Sequence, residues 1–259
     1  MEIKSIDIMI VLGPNVIPYL DFFKSSVKKL SSGSVNFIWK CVTTNKCKKP
    51  PKWMECVGHV KQKDRLVIHG YGLNILAHNC TSDVALITHP DISLLCKNWD
   101  ELLLTEMADE SVGAIGGVSE DRASQYKNCP SVFFTLFRKN ILESIDFLPK
   151  MQGYKQIISD DKEKYDTGWR IPGILIEKQK QWVNLTCKSA CVDQTCCLKY
   201  QNSVNQELRS KPQTNIFTEY YLRNTPIATH FGSSSRYAFD DQFSKAWQTA
   251  VKQYIEAIP

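Results

Sequence analysis

The chain has 259 residues, 43% of them apolar, with six tryptophans and a formal net charge of +5. That is enough apolar material for a sizeable core in one large domain or two small ones, and no window of eighteen consecutive apolar residues exists to form a transmembrane helix. A mildly basic balance suits anionic small molecules, and with no arginine stripe and no nucleic-acid-binding motif it excludes DNA and RNA as expected partners.

The first element is an apolar run from Ile6 to Leu12, "IDIMIVL", read as a core strand and broken by Gly13, Pro14 and Asn15. "VIPYLDFFKSSVKKL" then has apolar residues at helical spacing with lysines late in the run. "SVNFIWKCVTT" is β-branched and aromatic and reads as a second strand. A basic, proline-bearing loop, "NKCKKPPKW", leads to a short third strand in "MECVGHVKQ". "RLVIHGYGLNILAHNC" reads as a loop and helix, with "HGYG" near the helix start, and "SDVALITHPDI" as a strand and its end.

Beyond it, "NWDELLLTEMADES" is amphipathic, with Trp99, Leu102, Leu103 and Met107 on one side. "VGAIGGVS" is a buried strand, and "SVFFTLFRKNILESI" mixes strand and helix signals. Residues 148–167 are polar and loop-like, and "RIPGILIEKQKQWVNL" starts a helix or a strand pair. The stretch from Lys188 to Tyr220 has weak periodicity and reads as an irregular excursion. "TPIATHFGSSSR" is a short strand entering a glycine-serine loop, and "QFSKAWQTAVKQYIEAI" a C-terminal amphipathic helix. Strands alternating with helices predict an α/β fold, a central mainly parallel sheet flanked by helices.

The N-terminal stretch lacks the basic flank and small-residue cleavage site of a signal peptide, so a cytoplasmic protein is expected. Of ten cysteines only Cys187, Cys191, Cys196 and Cys197 are dense, and no C-x2-C knuckle occurs, so reduced core and loop thiols are expected rather than zinc. The glycosylation sequons at Asn79 and Asn184 then read as accidental.

The chemistry-bearing stretch is "ALITHPDIS". His89 and Asp91 stand two residues apart just past a strand, with Pro90 stiffening the turn between them. Taken alone they read first as a strand cap and a turn cap, and only second as two ligands of a divalent cation that prefers oxygen and accepts imidazole. Asp166, in "YDTGWRIP", is a carboxylate in an otherwise polar region, and reads as a turn aspartate or as a general base. His230 ends a late strand beside Ser233, Ser234, Ser235 and Arg236, whose hydroxyl and guanidinium donors suit phosphate oxygens.

The order of these pieces carries a resemblance. His69-Gly-Tyr-Gly-Leu-Asn74 precedes the strand ending in His89-Pro-Asp91, and Trp99-Asp-Glu-Leu102 and "GAIGG" follow. Over roughly residues 6–147 this resembles the nucleotide-sugar-binding half of GT-A glycosyltransferases, most closely small viral and bacterial enzymes that decorate surface glycans. The resemblance implies a GT-A fold: a single domain with a nucleotide-sugar-binding half over 1–147 and, over 148–259, an acceptor half with the C-terminal helix. It implies Mn2+ or Mg2+ at the Asp-x-Asp signature, where this chain has His89 for the first aspartate and Asp91 for the second, with His230 as a third contact.

The same resemblance places Leu12, Gly13 and Asn15 beneath the nucleotide base, His69, Tyr71 and Asn74 at base or ribose, and Arg236 at the phosphates. It makes Asp166 the base that deprotonates the acceptor of an inverting transfer, with Asp160 and Asp161 in reserve. The partners it implies are a nucleoside diphosphate sugar and a glycan, glycoprotein or glycolipid acceptor. The missing first aspartate leaves a second reading open, a degenerate transferase that binds glycan or nucleotide sugar without turnover. A sugar nucleotidyltransferase would carry a glycine-rich, arginine-bearing loop after the first strand, and a dinucleotide-binding enzyme a G-x-G-x-x-G there. "VLGPNVIPYL" has neither.

Overall fold

The computed structural model describes residues 3–13, 16–45, 47, 49–61, 65–118, 130–148, 167–189, 195–200, 217–232 and 241–258. The chain divides into two compact units, the first drawn from Met1–Pro14, Val35–His89 and Leu103–Asn184, the second from Asn15–Ser34, Pro90–Leu102 and Leu185–Pro259. Taken in chain order these segments alternate, so the backbone passes between the units five times.

The first unit is built on a mixed sheet. β1 (Ser5–Leu12) lies between β2 (Asn36–Thr44) and β4 (Val84–Thr88), parallel to both, with Ile8 opposite Trp39 and Leu86. β3 (Glu55–Val60) adds parallel to β2 at the edge. On the other side β7 (Pro130–Arg138) runs antiparallel to β4, and β6 (Val112–Val118) antiparallel to β7. Residues Ile6 to Ile10 and Leu12 are all buried, without alternation, as expected of a strand covered on both faces. α2 (Arg65–His78) packs Leu73, Leu76 and Ala77 into a core with Met9, Val42, Ala85, Ile87 and Phe137. The short helices α4 (Lys139–Leu142) and α5 (Ile171–Glu177) add Ile141, Leu142, Ile171 and Leu175 to it.

"HGYG" lies well inside α2, beyond the first turn that starts at Arg65, rather than near the helix start. A Cβ at Gly70 would stand 2.6 Å from the Phe147 carbonyl oxygen, and one at Gly72 2.8 Å from a Val11 methyl. The glycines let the helix approach its neighbours closely, a tertiary demand that local turn propensity does not reveal. Asp7 is the charged residue inside the apolar run of β1. Lys40 Nζ donates to its carboxylate at 2.8 Å and to the Asn79 carbonyl at 2.7 Å, while Thr81 N and Ser82 Oγ donate to Asp7 at 2.7 and 2.6 Å. Burial pushes the Asp7 carboxyl up, and these donors and the Lys40 charge more than offset it, leaving it below the usual carboxylate range.

The second unit has an antiparallel sheet. β9 (Phe217–Leu222) lies between β8 (Gln181–Ser189) and β10 (Thr225–Phe231), and β10 pairs onward with β5 (Ile92–Leu94). β9 and β10 form a hairpin whose turn includes Arg223 at φ 56°. β9 begins inside the stretch expected to be irregular and runs just past its end. Its apolar and aromatic residues are too few, beside polar flanks, to show as a periodic run. α1 (Ile17–Leu30) opens with Pro18 in its first turn, buries Tyr19, Leu20, Phe23, Val27 and Leu30 at helical spacing, and ends in Lys28 and Lys29. α6 (Gln242–Glu256) is capped by Asp241, whose carboxylate accepts from Phe243 N at 2.9 Å. Tyr19, Phe231 and Trp247 pack ring on ring, and Tyr19 donates to Ser244 Oγ at 2.9 Å. α3 (Trp99–Met107) starts in this unit, where the buried Asp100 accepts from Ser32 N and Oγ at 2.9 and 2.7 Å.

The α/β architecture is therefore as the sequence reads. Its parallel portion is β3–β2–β1–β4, where strands and helices alternate; β6, β7 and the second unit's strands pair antiparallel. Among the described residues no helix is long and apolar enough to cross a membrane.

Candidate functional site

β4 ends at Thr88 because the next residues leave the sheet. His89 N donates to the Phe133 carbonyl at 3.1 Å, and its half-buried ring meets Phe133 and His69 edge-on, at centroid distances of 4.8 and 5.2 Å. Pro90 has no N–H to extend a ladder. Here the chain passes into the second unit, and Asp91 leads straight into β5.

Within that unit, Phe231 N donates to the Asp91 carbonyl at 2.9 Å, and the β5–β10 register sets Ile92 opposite His230. The result is a close pair: His230 Nε2 stands 3.3 Å from Asp91 Oδ1, with the two side chains only 9% and 5% exposed. Tyr220 Oη reaches His230 Nδ1 at 3.5 Å from the neighbouring β9. A carboxylate oxygen and an imidazole nitrogen, adjacent and sheltered, fit a divalent cation of the manganese or magnesium class. His89 is joined to Asp91 through Pro90 alone, and two trans peptide links hold their Cα atoms within about 7 Å.

The other expected site residues separate into three kinds. Leu12 closes β1, buried, with its carbonyl accepting from Thr44 Oγ1 at 3.0 Å; at Gly13 a Cβ would meet nothing within 4 Å. His69 and Tyr71 stand on α2, and Tyr71 is 40% exposed. Asn74 is engaged by the fold: its amide donates to Asp146 Oδ1 at 2.8 Å and accepts from Phe147 N at 2.8 Å. Asn15, Asp160, Asp161, Asp166, Ser233, Ser234, Ser235 and Arg236 lie outside the described residues.

The chain just after Asp166 is firmly held. Gly168 takes φ +89°, and a Cβ there would stand 2.8 Å from Val132 Cγ1. Trp169 Nε1 donates to the Leu148 carbonyl at 3.0 Å, while Arg170 lies 5.0 Å over the Trp169 ring and 3.5 Å from Asp146 Oδ2. In the first unit a polar depression of about 360 Å³ is lined by Asp83, Glu110, Arg138, Lys139, Asn140, Glu143 and Lys180. None of the expected site residues lines it. Arg138 there donates to the carbonyls of Val112, Asp109 and Met107, so its charge fixes loop geometry.

Sequence reasoning missed Tyr220, which braces His230; the only signal for it was the short aromatic run "FTEYYL". The described cysteines are free thiols. In the dense cluster Cys196 is buried, and Cys197, pushed up to about 12 by burial and by Glu219, has its backbone N–H on the Glu219 carboxylate at 2.8 Å. These are thiols of the fold.

No protein-family model matches the chain, and no curated protein matches it. Solved structures similar to it include the mannosyltransferase PcManGT from Pyrobaculum calidifontis in complex with GDP-Man and Mn2+, at 11% identity and TM-score 0.49, covering 69% of this chain and 54% of that one. Another is glucosyl-3-phosphoglycerate synthase from Mycobacterium tuberculosis in complex with Mn2+ and UDP-glucose, at 11% identity and TM-score 0.42, covering 71% of this chain and 70% of that one. A third is S. aureus TarS, at 9% identity and TM-score 0.39, covering 57% of this chain and 31% of that one. The chain thus spans about half the length of the mannosyltransferase. Two of the three were solved with a sugar nucleotide and Mn2+ in place.

Proposed function

We propose that this chain is a glycosyltransferase that moves a sugar from a nucleoside diphosphate donor to a hydroxyl of a glycan, glycoprotein or glycolipid, with inversion and with Mn2+ or Mg2+ as cofactor. The observation that carries the reading is the sheltered Asp91–His230 pair, 3.3 Å apart, immediately after the strand end that bears the signature-like His89-Pro-Asp91. Asp91 and His230 hold the cation, and His89 is the third ligand that the chain tethers beside them. When bound, the cation offsets the negative charge that develops on the leaving diphosphate.

The chain's own residues do the rest. Leu12, Gly13 and Asn15 accommodate the nucleotide base, with His69 and Tyr71 alongside. Asn74 acts at one remove, by holding Asp146 and Phe147. Arg236 and the serines before it donate to phosphate oxygens. Asp166 accepts the proton of the acceptor hydroxyl as the new bond forms.

A second reading, a glycan- or sugar-nucleotide-binding module without turnover, draws on His89, whose ring already packs on Phe133 and His69 as a structural side chain does. Hydrolysis of donor in the presence of Mn2+ separates the two, since only the enzyme releases sugar. The test of the binding site is a thermal-shift series with nucleoside diphosphate sugars, with and without Mn2+. The melting point should rise only when donor and cation are both present, by the equivalent of about 2.7 kcal/mol at a hundredfold excess over Kd. Asp91→Asn should abolish the rise; because Asp91 is 3% exposed, the near-isosteric asparagine is the proper probe. A rise that Asp91→Asn leaves intact would remove the cation from this position.

A further inference from the structure

Alternation along β2 puts Val42 in the core with α2 and turns Cys41 and Thr43 to the opposite face. β3 supplies side chains to that same face. Thr43 Oγ1 stands 2.8 Å from His59 Nδ1 and 4.0 Å from Cys56 Sγ. Cys41 and Cys56 are register partners of the parallel β2–β3 pair, immediately before a bulge. Neighbouring strands run about 4.8 Å apart, inside the Cα separation of about 4.4–6.8 Å that a disulfide requires. The two thiols differ sharply in access. Cys41 is fully buried, whereas Cys56, on the edge strand, is the one exposed cysteine among the described residues.

We propose that Cys56 and Cys41 form a reversible dithiol site: Cys56 is modified by a small disulfide of the glutathione class, and Cys41 beneath it resolves the adduct. In the first step the Cys56 thiolate attacks one sulfur of the oxidant. A mixed disulfide forms on Cys56, and one glutathione thiolate leaves. In the second the Cys41 thiolate attacks the Cys56 sulfur, the Cys41–Cys56 bond forms, and the second glutathione thiolate leaves. Two protein thiols are oxidised, one glutathione disulfide is reduced to two thiols, and the two thiol protons pass to water or to the leaving thiolates.

The order of events follows from position. Burial, with Cys56 and Cys47 nearby, pushes the Cys41 thiol up to about 12, so it carries little thiolate and meets no bulky oxidant directly. It acts second, and slowly. Cys47, buried just beyond β2 with its N–H on the Thr44 carbonyl at 2.9 Å, is the neighbouring thiol that the register does not pair with Cys56.

The experiment is incubation of the reduced full chain with glutathione disulfide, followed over time by intact mass and peptide mapping. The expected course is a transient single adduct on Cys56, then loss of that adduct with loss of two hydrogens, mapping to Cys41–Cys56. Cys41→Ser should stop at a lasting Cys56 adduct, Cys56→Ser should give neither species at these positions, and Cys47→Ser should proceed as the unaltered chain does. A stable Cys56 adduct on the unaltered chain, or a bond mapping to Cys47–Cys56, overturns the proposal; both outcomes are read without any variant, so misfolding of a substituted chain does not shelter it.

Discussion

Asp91 carries a carboxylate into a place only 3% exposed, where an ionised group is costly unless something compensates it. His230 at 3.3 Å is that compensation among the described contacts, and a divalent cation would be a stronger one. The position of Asp91 was legible in the sequence, because a buried apolar run stopping at "THPD" marks a strand end. Its pairing with His230, 139 positions later, was legible only through the resemblance, since no local pattern reports which distant strands pair. Asp166 supplies the prediction at this scale. Asparagine is nearly isosteric with aspartate but cannot take up the proton, so on the proposed role Asp166→Asn separates chemistry from donor binding. Turnover should fall about 10²–10⁴-fold while donor affinity stays within a few-fold, as initial rates and calorimetry would show. Transfer at near wild-type rate would make Asp166 a turn residue and pass the role to Asp160 or Asp161.

At the scale of elements, α2 shows how far a pattern reading reaches. The helix itself was evident from its apolar content, but its two glycines read as lying near its start, because the reason for them lies in Val11 and Phe147, outside the helix. They should respond differently to alanine. At Gly72 the new methyl meets the Val11 side chain at 2.8 and 3.0 Å, which can rotate or shift. Overpacking of about 1–3 kcal/mol is there partly offset by about 1 kcal/mol of helix propensity. At Gly70 the obstacle is a backbone oxygen at 2.6 Å, with the Leu148 Cα at 3.1 Å, and backbone yields less readily. Urea unfolding should therefore rank Gly70→Ala as the more damaging substitution; the reverse order would mean that α2 is not held against residues 147–148. β9 is the opposite case, a strand the pattern did not reveal because polar residues flank its aromatic core on the N-terminal side, although its hairpin partner β10 was read as a strand.

At the scale of the whole molecule, one buried carboxylate, Asp7, contributes to acid stability. Asp7 is held below its ordinary value of 3.8, so its contribution is complete above that value and is lost as pH falls through the lower folded value. Lys40→Met removes the cationic partner and leaves Asp7 buried among neutral donors, at a cost of about 3–5 kcal/mol. The Asp7 carboxyl should then rise towards or past its unfolded value, so the stability that this group loses on acidification should shrink relative to the unaltered chain. Chemical denaturation over a pH series from neutral downward checks both parts. An unchanged acid limb would show that other carboxylates govern it.

The alternation of segments between the two units also sets a timetable for synthesis. α1 leaves the ribosome early, with Tyr19, Leu20 and Phe23 on one side, yet Tyr19 bonds to a serine 225 positions further along the chain. At ordinary translation rates that helix waits on the order of 10–50 s for α6 to arrive. The second unit therefore cannot assemble piecemeal as it emerges. Until α6 emerges, the apolar face of α1 lacks the partner it packs on in the folded unit, so closure of that unit is a late event that joins its earliest and latest described helices.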